Sequence, residues 1–219
     1  MRESPSPRLR SPGPSGDKVD ILTVEPMPPA PGSILLARHG EPAISRKVRL
    51  TAQGYREFWA IYEERGLLPG QTPPADLCAR TQAADVLVTS IRPRAVESAQ
   101  ALAPGREFPR DASLIEAPLP PPPLPGFLRL SPKTWGFLAR FWWWYFNHHA
   151  GEESRAEAEV RADAVAARLE SIAQGGENVV VVAHGFFNLM IGRALVKRGW
   201  AMFKSPGWTY WSVRRFERK

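Results

Sequence analysis

The chain has 219 residues, 43% of them hydrophobic, with a formal net charge of +7. That is enough apolar material for one well-filled core rather than two, and no stretch reaches the roughly 18 apolar residues that span a bilayer. A single cysteine, Cys78, excludes an internal disulfide framework and fits a reducing compartment, so a cytoplasmic protein is expected.

Residues 1–32 are rich in Pro, Ser and Gly with only scattered apolar residues such as Ile21, Leu22 and Val24. Such a segment cannot bury enough surface to offset its ordering entropy, so a disordered tail is expected, with one domain over 33–219. No apolar run follows the early arginines, so the tail does not read as a secretory signal.

Ser33–Ala37 is a short apolar run of the buried-strand kind, followed by Arg38-His39-Gly40. Leu50–Gly54 opens a predicted helix to about Arg65, with Phe58, Ile61 and Tyr62 on one face and Gly66 as its stop. Ala84–Thr89 reads as a second strand. Pro93 to Leu102 reads as a helix halted by Pro104-Gly105.

Residues 116–150 form a segment of unusual composition. Pro118–Pro125 holds six prolines in eight residues and must run extended, and Trp135–Phe146 then packs eight aromatics into twelve. Aromatics all round a helix cannot be one-sided core, so part of that surface is expected to meet something else.

Ser154 to Ala173 is the clearest helix, with Ser154 capping it and Glu157 in the reciprocal position. Gly175-Gly176 ends it, and Val179–Ala183 follows as a strand closed by His184-Gly185. Phe186–Arg198 reads as a helix and Tyr210–Phe216 as a last strand. Strands alternating with helices predict a three-layer α/β/α sandwich around a mostly parallel sheet, with ligands beyond the carboxyl ends of the strands. His39 and His184 both fall there.

A loop imidazole beside a fixed guanidinium suits an anion, and phosphoryl transfer gives each group a task. A neutral His attacks in line, arginines bind the non-bridging oxygens bidentately, a second, protonated His adds charge, and a carboxylic acid protonates the leaving oxygen.

Arg38-His39-Gly40-Glu41, Leu50-Thr51-Ala52-Gln53-Gly54, Thr89–Ala99, Gly151-Glu152-Glu153-Ser154 and Ala183-His184-Gly185 together resemble the histidine phosphatase superfamily, the phosphoglycerate-mutase-like fold, over about residues 33 to 216. The resemblance implies a metal-independent phosphomonoester hydrolase with no cofactor, acting through a phosphohistidine. It makes His39 the nucleophile, Arg38, Arg94 and His184 the phosphate pocket, and Glu116 the proton donor. Ser45 stands where the family often has Asn, and its hydroxyl could still donate to phosphate. Ile91-Arg92 replaces a Pro-Leu pair, and proline-rich sequence follows Glu116. Phosphoglycerate-mutase-type transfer and a non-catalytic phospho-ligand- or membrane-binding pseudo-phosphatase are the alternatives.

The expected partner is a small phosphorylated substrate rather than nucleic acid. The aromatic block is expected to wall the pocket, or to make a homodimer or peripheral membrane contact through Trp142, Trp143 and Trp144. Membrane contact would draw on the basic C-terminal region, where eight cations from Arg193 to Lys219 face one acid, Glu217.

Overall fold

The computed structural model describes residues 30–204 and 207–218, so the tail expected over 1–32 lies almost wholly outside the described residues. The elements run β1 (Ser33–Arg38), α1 (Ala52–Glu64), α2 (Ala75–Ala83), β2 (Val86–Ser90), α3 (Pro93–Leu102) and β3 (Arg110–Asp111). They continue as α4 (Pro132–Phe146), α5 (Arg155–Gln174), β4 (Val179–Ala183), α6 (Gly185–Lys197), β5 (Trp200–Lys204) and β6 (Val213–Arg218).

The six strands form one sheet in the order β3-β2-β4-β1-β6-β5. β3, β2, β4 and β1 pair in parallel, while β6 runs against both of its neighbours. Period-two alternation divides the strands between two cores. Ile34, Leu36, Val179 and Val181 face α5 and α6, where they meet Leu169, Phe187 and Ile191. Leu35, Ala37, Val180 and Val182 face the other way, onto Leu77, Ala99 and Leu102 of α2 and α3. The molecule is therefore the three-layer sandwich with a mostly parallel sheet.

β1 and β4 are neighbours in register, with Arg38 opposite Ala183. His39 and His184 thus leave the sheet side by side at its carboxyl edge, where the His39 amide donates to the Ala183 carbonyl at 3.0 Å. α5 begins on the full capping box: the Glu157 amide donates to Ser154 Oγ at 3.3 Å and the Ser154 amide to Glu157 Oε2 at 2.8 Å.

Several local expectations change. The buried face of α1 carries Tyr55, Phe58 and Tyr62, while Ile61 faces solvent. α1 ends on extended backbone at Arg65, and Gly66 is needed for a different reason: a Cβ there would overlap the Glu97 carboxylate. α2, β3 and β5 lie outside the expected elements. The proline segment contributes to the interior, with Pro120, Pro121 and Pro122 buried. Trp143 is fully buried, packs edge-on against Phe186 and donates its indole N–H to the Glu153 carbonyl at 3.0 Å, so it is core and not a contact residue.

The basic C-terminal excess is also largely spoken for. Arg198 pairs with Asp163 and Glu170, Arg218 with Glu170, and Arg215 with Glu217. Arg193 lies over the Trp144 ring and Arg214 over Trp208. Among the described residues no helix is long and apolar enough to cross a membrane.

Candidate active site

Beyond the carboxyl ends of β1 and β4 lies a narrow cavity of about 70 Å³. Its floor is His39, His184, Arg38 and Arg94, and Glu116, Arg46 and Arg140 stand round it. At roughly 30 Å³ per water it holds a compact group, and anything larger must extend toward the mouth.

The two imidazoles are buried, with ring centroids 5.2 Å apart. His39 Nδ1 donates to the carbonyl of Gly40 at 2.6 Å, which fixes the tautomer and leaves the Nε2 lone pair on the cavity side. That lone pair accepts from Arg94 Nε at 3.3 Å. A second nitrogen of Arg94, Nη2, donates to His184 Nδ1 at 3.2 Å, so the remaining His184 nitrogen, Nε2, donates to Ser90 Oγ at 3.0 Å.

Burial first, and the Arg94 guanidinium second, hold both histidines well below the ordinary imidazole range. His39 is therefore neutral, as a nucleophile must be. His184 is neutral too, against the expectation of a protonated partner, because burial first and the adjacent Arg94 guanidinium second disfavour its cation. An arriving dianion would reverse that balance by favouring the cation.

Arg94 is itself buried and held on several sides. Nη1 donates to the Tyr62 carbonyl at 3.0 Å, Nη2 pairs with Glu63 at 2.7 Å, and the guanidinium lies over the Tyr62 ring at 4.6 Å. Glu63 also pairs with Arg92 at 2.5 Å, which turns Arg92 away from the cavity toward this carboxylate. Arg38 stacks on the Tyr210 ring at 4.7 Å and donates to the Trp208 carbonyl, while its buried Nε has no protein partner.

Glu116 lines the same cavity, its carboxylate seated at the start of α6. Oε1 accepts from the Phe187 amide at 2.7 Å and Oε2 from the Phe186 amide at 3.2 Å, with Arg140 3.9 Å from Oε2. Helix N-termini favour such anions. Ser45 does not line this cavity. It is exposed and its hydroxyl accepts from the Lys47 amide at 3.2 Å. The next residue, Arg46, reaches in instead and donates to the Tyr62 hydroxyl at 2.8 Å.

The mouth is aromatic, but not from the tryptophan run. α1 presents Tyr55, Phe58, Trp59 and Tyr62, with Trp59 stacked on Tyr62 at 4.8 Å. α4 contributes Pro132, Lys133, Gly136 and Arg140, while Trp142, Trp143 and Trp144 do not line the cavity. The i, i+3, i+4, i+7 spacing of the α1 aromatics was the available signal for this wall; Arg46 and Glu63 carried none. His148 and His149 are committed separately, to the carbonyls of Pro121 and Glu152.

Fold and site together define an α/β protein with a compact, arginine-lined cavity beside an unprotonated imidazole. The chain belongs to the histidine phosphatase superfamily (branch 1), whose family model matches residues 34–219. Among solved structures it is similar to the mycobacterial glucosyl-3-phosphoglycerate phosphatase Rv2419c complexed with VO3, at TM-score 0.54 and 19% identity over 85% of this chain and 95% of that one. It is also similar to a phosphoglycerate mutase from Bacillus anthracis str. Sterne (TM-score 0.52, 16% identity, 86% and 88% covered). A third is YhfR of Bacillus stearothermophilus (TM-score 0.51, 23% identity, 84% and 90% covered). At these identities the likeness is one of fold. No curated protein matches the chain.

Proposed function

We propose that the protein hydrolyses a phosphomonoester in two steps through a phosphohistidine on His39, without a metal. The observation that carries the reading is the tautomer of His39. Its Nδ1–H is spent on the Gly40 carbonyl at 2.6 Å, and Nε2 faces the arginine-lined cavity unprotonated.

In the first step Glu116 takes up the proton that a monoanionic ester brings in, Nε2 attacks phosphorus, the bond from phosphorus to the ester oxygen breaks, and Glu116 passes that proton to the departing alcohol. In the second, water attacks phosphorus, Glu116 takes a proton from it, and the P–N bond breaks to release inorganic phosphate and neutral His39. Entry of the phosphoryl group displaces the Arg94 bonds to His39 and His184, and Arg38, Arg94 and His184 then hold the phosphoryl oxygens in both steps, with Arg46 at the mouth. Fixed guanidinium groups supply the charge stabilisation that phosphoryl transfer needs, which supports the metal-independent reading. The α1 aromatics favour a leaving group with a flat or apolar face.

Hydrolysis of an aryl phosphate in EDTA by wild type and His39→Ala tests this. Turnover that survives EDTA, vanishes in the variant and passes through an acid-labile phosphohistidine is expected. Turnover retained by His39→Ala would overturn the mechanism. A trapped phosphohistidine that water does not discharge would mark a phosphotransferase instead.

A further inference from the structure

α4 has two faces of opposite character. Its inner face supplies Lys133, Gly136 and Arg140 to the catalytic cavity and buries Trp135, Ala139 and Trp143. Its outer face carries Phe137, Phe141, Tyr145 and Phe146, which are 68%, 41%, 69% and 63% exposed. These rings are not scattered. Phe141 lies 4.9 Å from Tyr145 and 5.5 Å from Trp142, and Trp142 lies 5.6 Å from Phe146, centroid to centroid. Lys133 and Arg140 are the only charged residues in the helix, and both line the cavity, so the outer face has no charge of its own.

We propose that this outer face is the contact between two copies of the chain, arranged about a two-fold axis near Phe141. Size is the first argument. At roughly 200 Å² per ring, the exposed fractions amount to about 500 Å² of aromatic surface per protomer. A patch of that size stands at the upper end of what a monomer shows to water, and it is more than half of the ~800 Å² per partner of a standard interface. Composition agrees, since interface cores are rich in aromatics and depleted of charge.

Charge selects the occupant. Two chains of net charge +7 repel over most of their surfaces, and a neutral aromatic face is where they can approach without burying like charges. A helix that lies in a membrane interface carries Lys and Arg along its polar side, whereas the cations of α4 point into the catalytic cavity. Of the C-terminal arginines that could have supplied a cationic rim, Arg198, Arg215 and Arg218 are paired with Asp163, Glu170 and Glu217, while Arg193 and Arg214 lie over the Trp144 and Trp208 rings.

Geometry sets the register. Phe137, Phe141 and Tyr145 form one i±4 ridge, with about 6 Å of rise between successive rings. Two such ridges interdigitate at a crossing angle of about −50°, and an isologous contact then sets Phe141 against Phe141 and Phe137 against Tyr145 of the second copy.

Sedimentation velocity over micromolar concentrations tests the proposal, and the wild type is expected to sediment as a dimer. Phe141→Glu should weaken the dimer about 100-fold or more while leaving the circular dichroism spectrum unchanged, because the side chain is not core. A thiol placed at position 141 supplies the positive arm. In a Cys78→Ser background, Phe141→Cys should form an intermolecular disulfide under mild oxidation, whereas Phe203→Cys, at an exposed position of β5, should not. A wild type that is monomeric throughout, or a dimer untouched by Phe141→Glu, would overturn the contact. So would a monomer that binds phosphatidylserine vesicles and loses that binding in Phe141→Glu.

Discussion

Arg94 Nε approaches His39 Nε2 to 3.3 Å, so the guanidinium rests against the nitrogen that the proposed reaction uses. The same side chain bonds His184, the Tyr62 carbonyl and Glu63, and it is fully buried. It is therefore both a phosphate ligand in the proposed mechanism and the strut that holds the two imidazoles apart. Arg94→Ala should lower kcat/KM about 10²–10³-fold, the range for losing one oxyanion donor. Arg94→Lys should recover little of it, because an ammonium cannot bond three groups in one plane. Near-complete rescue by Lys would show that Arg94 acts as a point charge alone.

The two neutral histidines link stability to pH. Unfolded imidazoles take up protons at about pH 6.5, while the folded ones resist until well below it. Below pH 6.5 the unfolded state thus binds more protons. This contribution is fully present above 6.5 and is lost as pH falls toward the folded values, at up to ~1.4 kcal/mol per pH unit for each group. Urea midpoints between pH 7.5 and 5 should fall more steeply for wild type than for the His39→Gln, His184→Gln double variant. Parallel slopes would show that the histidines charge freely in the folded protein.

Gly40 is required by crowding. A Cβ there would overlap the Trp211 ring and press on Gln71 Oε1, which accepts from the Trp211 indole at 3.2 Å and from the Glu41 amide at 2.7 Å. Gly40→Ala should cost about 1–3 kcal/mol, as overpacking does, and should also cut activity, because displacing Trp211 carries Tyr210 away from Arg38. Full activity in a destabilised Gly40→Ala protein would separate the Trp211 segment from the site.

Trp143 and Trp59 divide the aromatic content by role. Trp143→Ala opens a core cavity and should destabilise by about 3–5 kcal/mol, measured by thermal or urea unfolding. Trp59→Ala, at the half-exposed mouth, should leave stability within about 1 kcal/mol and raise KM for aryl phosphates, with little change for small alkyl phosphates. Equal KM changes for both substrate types would detach the α1 wall from leaving-group recognition.

The sandwich was legible because β1 and β4 are continuous apolar runs ending in His-Gly, and because Ser154 and Glu157 announce α5. Those signals are local. α2 was missed because Ala75–Ala83 is short and buries only Leu77 and Thr81, too few positions to show a period. β5 follows α6 with a two-residue break and carries no turn signature beyond Gly199. The pocket histidines and Arg94 are readable from motif order and Tyr62 from the aromatic spacing of α1, whereas Glu63 enters through the way α1 lies across the sheet edge and Arg46 through the loop after β1. The tryptophan run is dense in the sequence, yet density does not report direction: about one helix turn separates buried Trp143 from exposed Phe146.

Glu63 and Trp59 stand on the same helix, one tethering Arg94 and the other forming the mouth. Grip on the phosphoryl group and choice of what it is attached to therefore share a single rigid lever. A substitution that tilts α1 cannot retune one without disturbing the other, whereas α4 can be remodelled at Lys133 or Gly136 with the phosphate contacts left in place. Divergence toward new substrates would accordingly be expected to run through α4 first, and through α1 only alongside compensating change near Arg94.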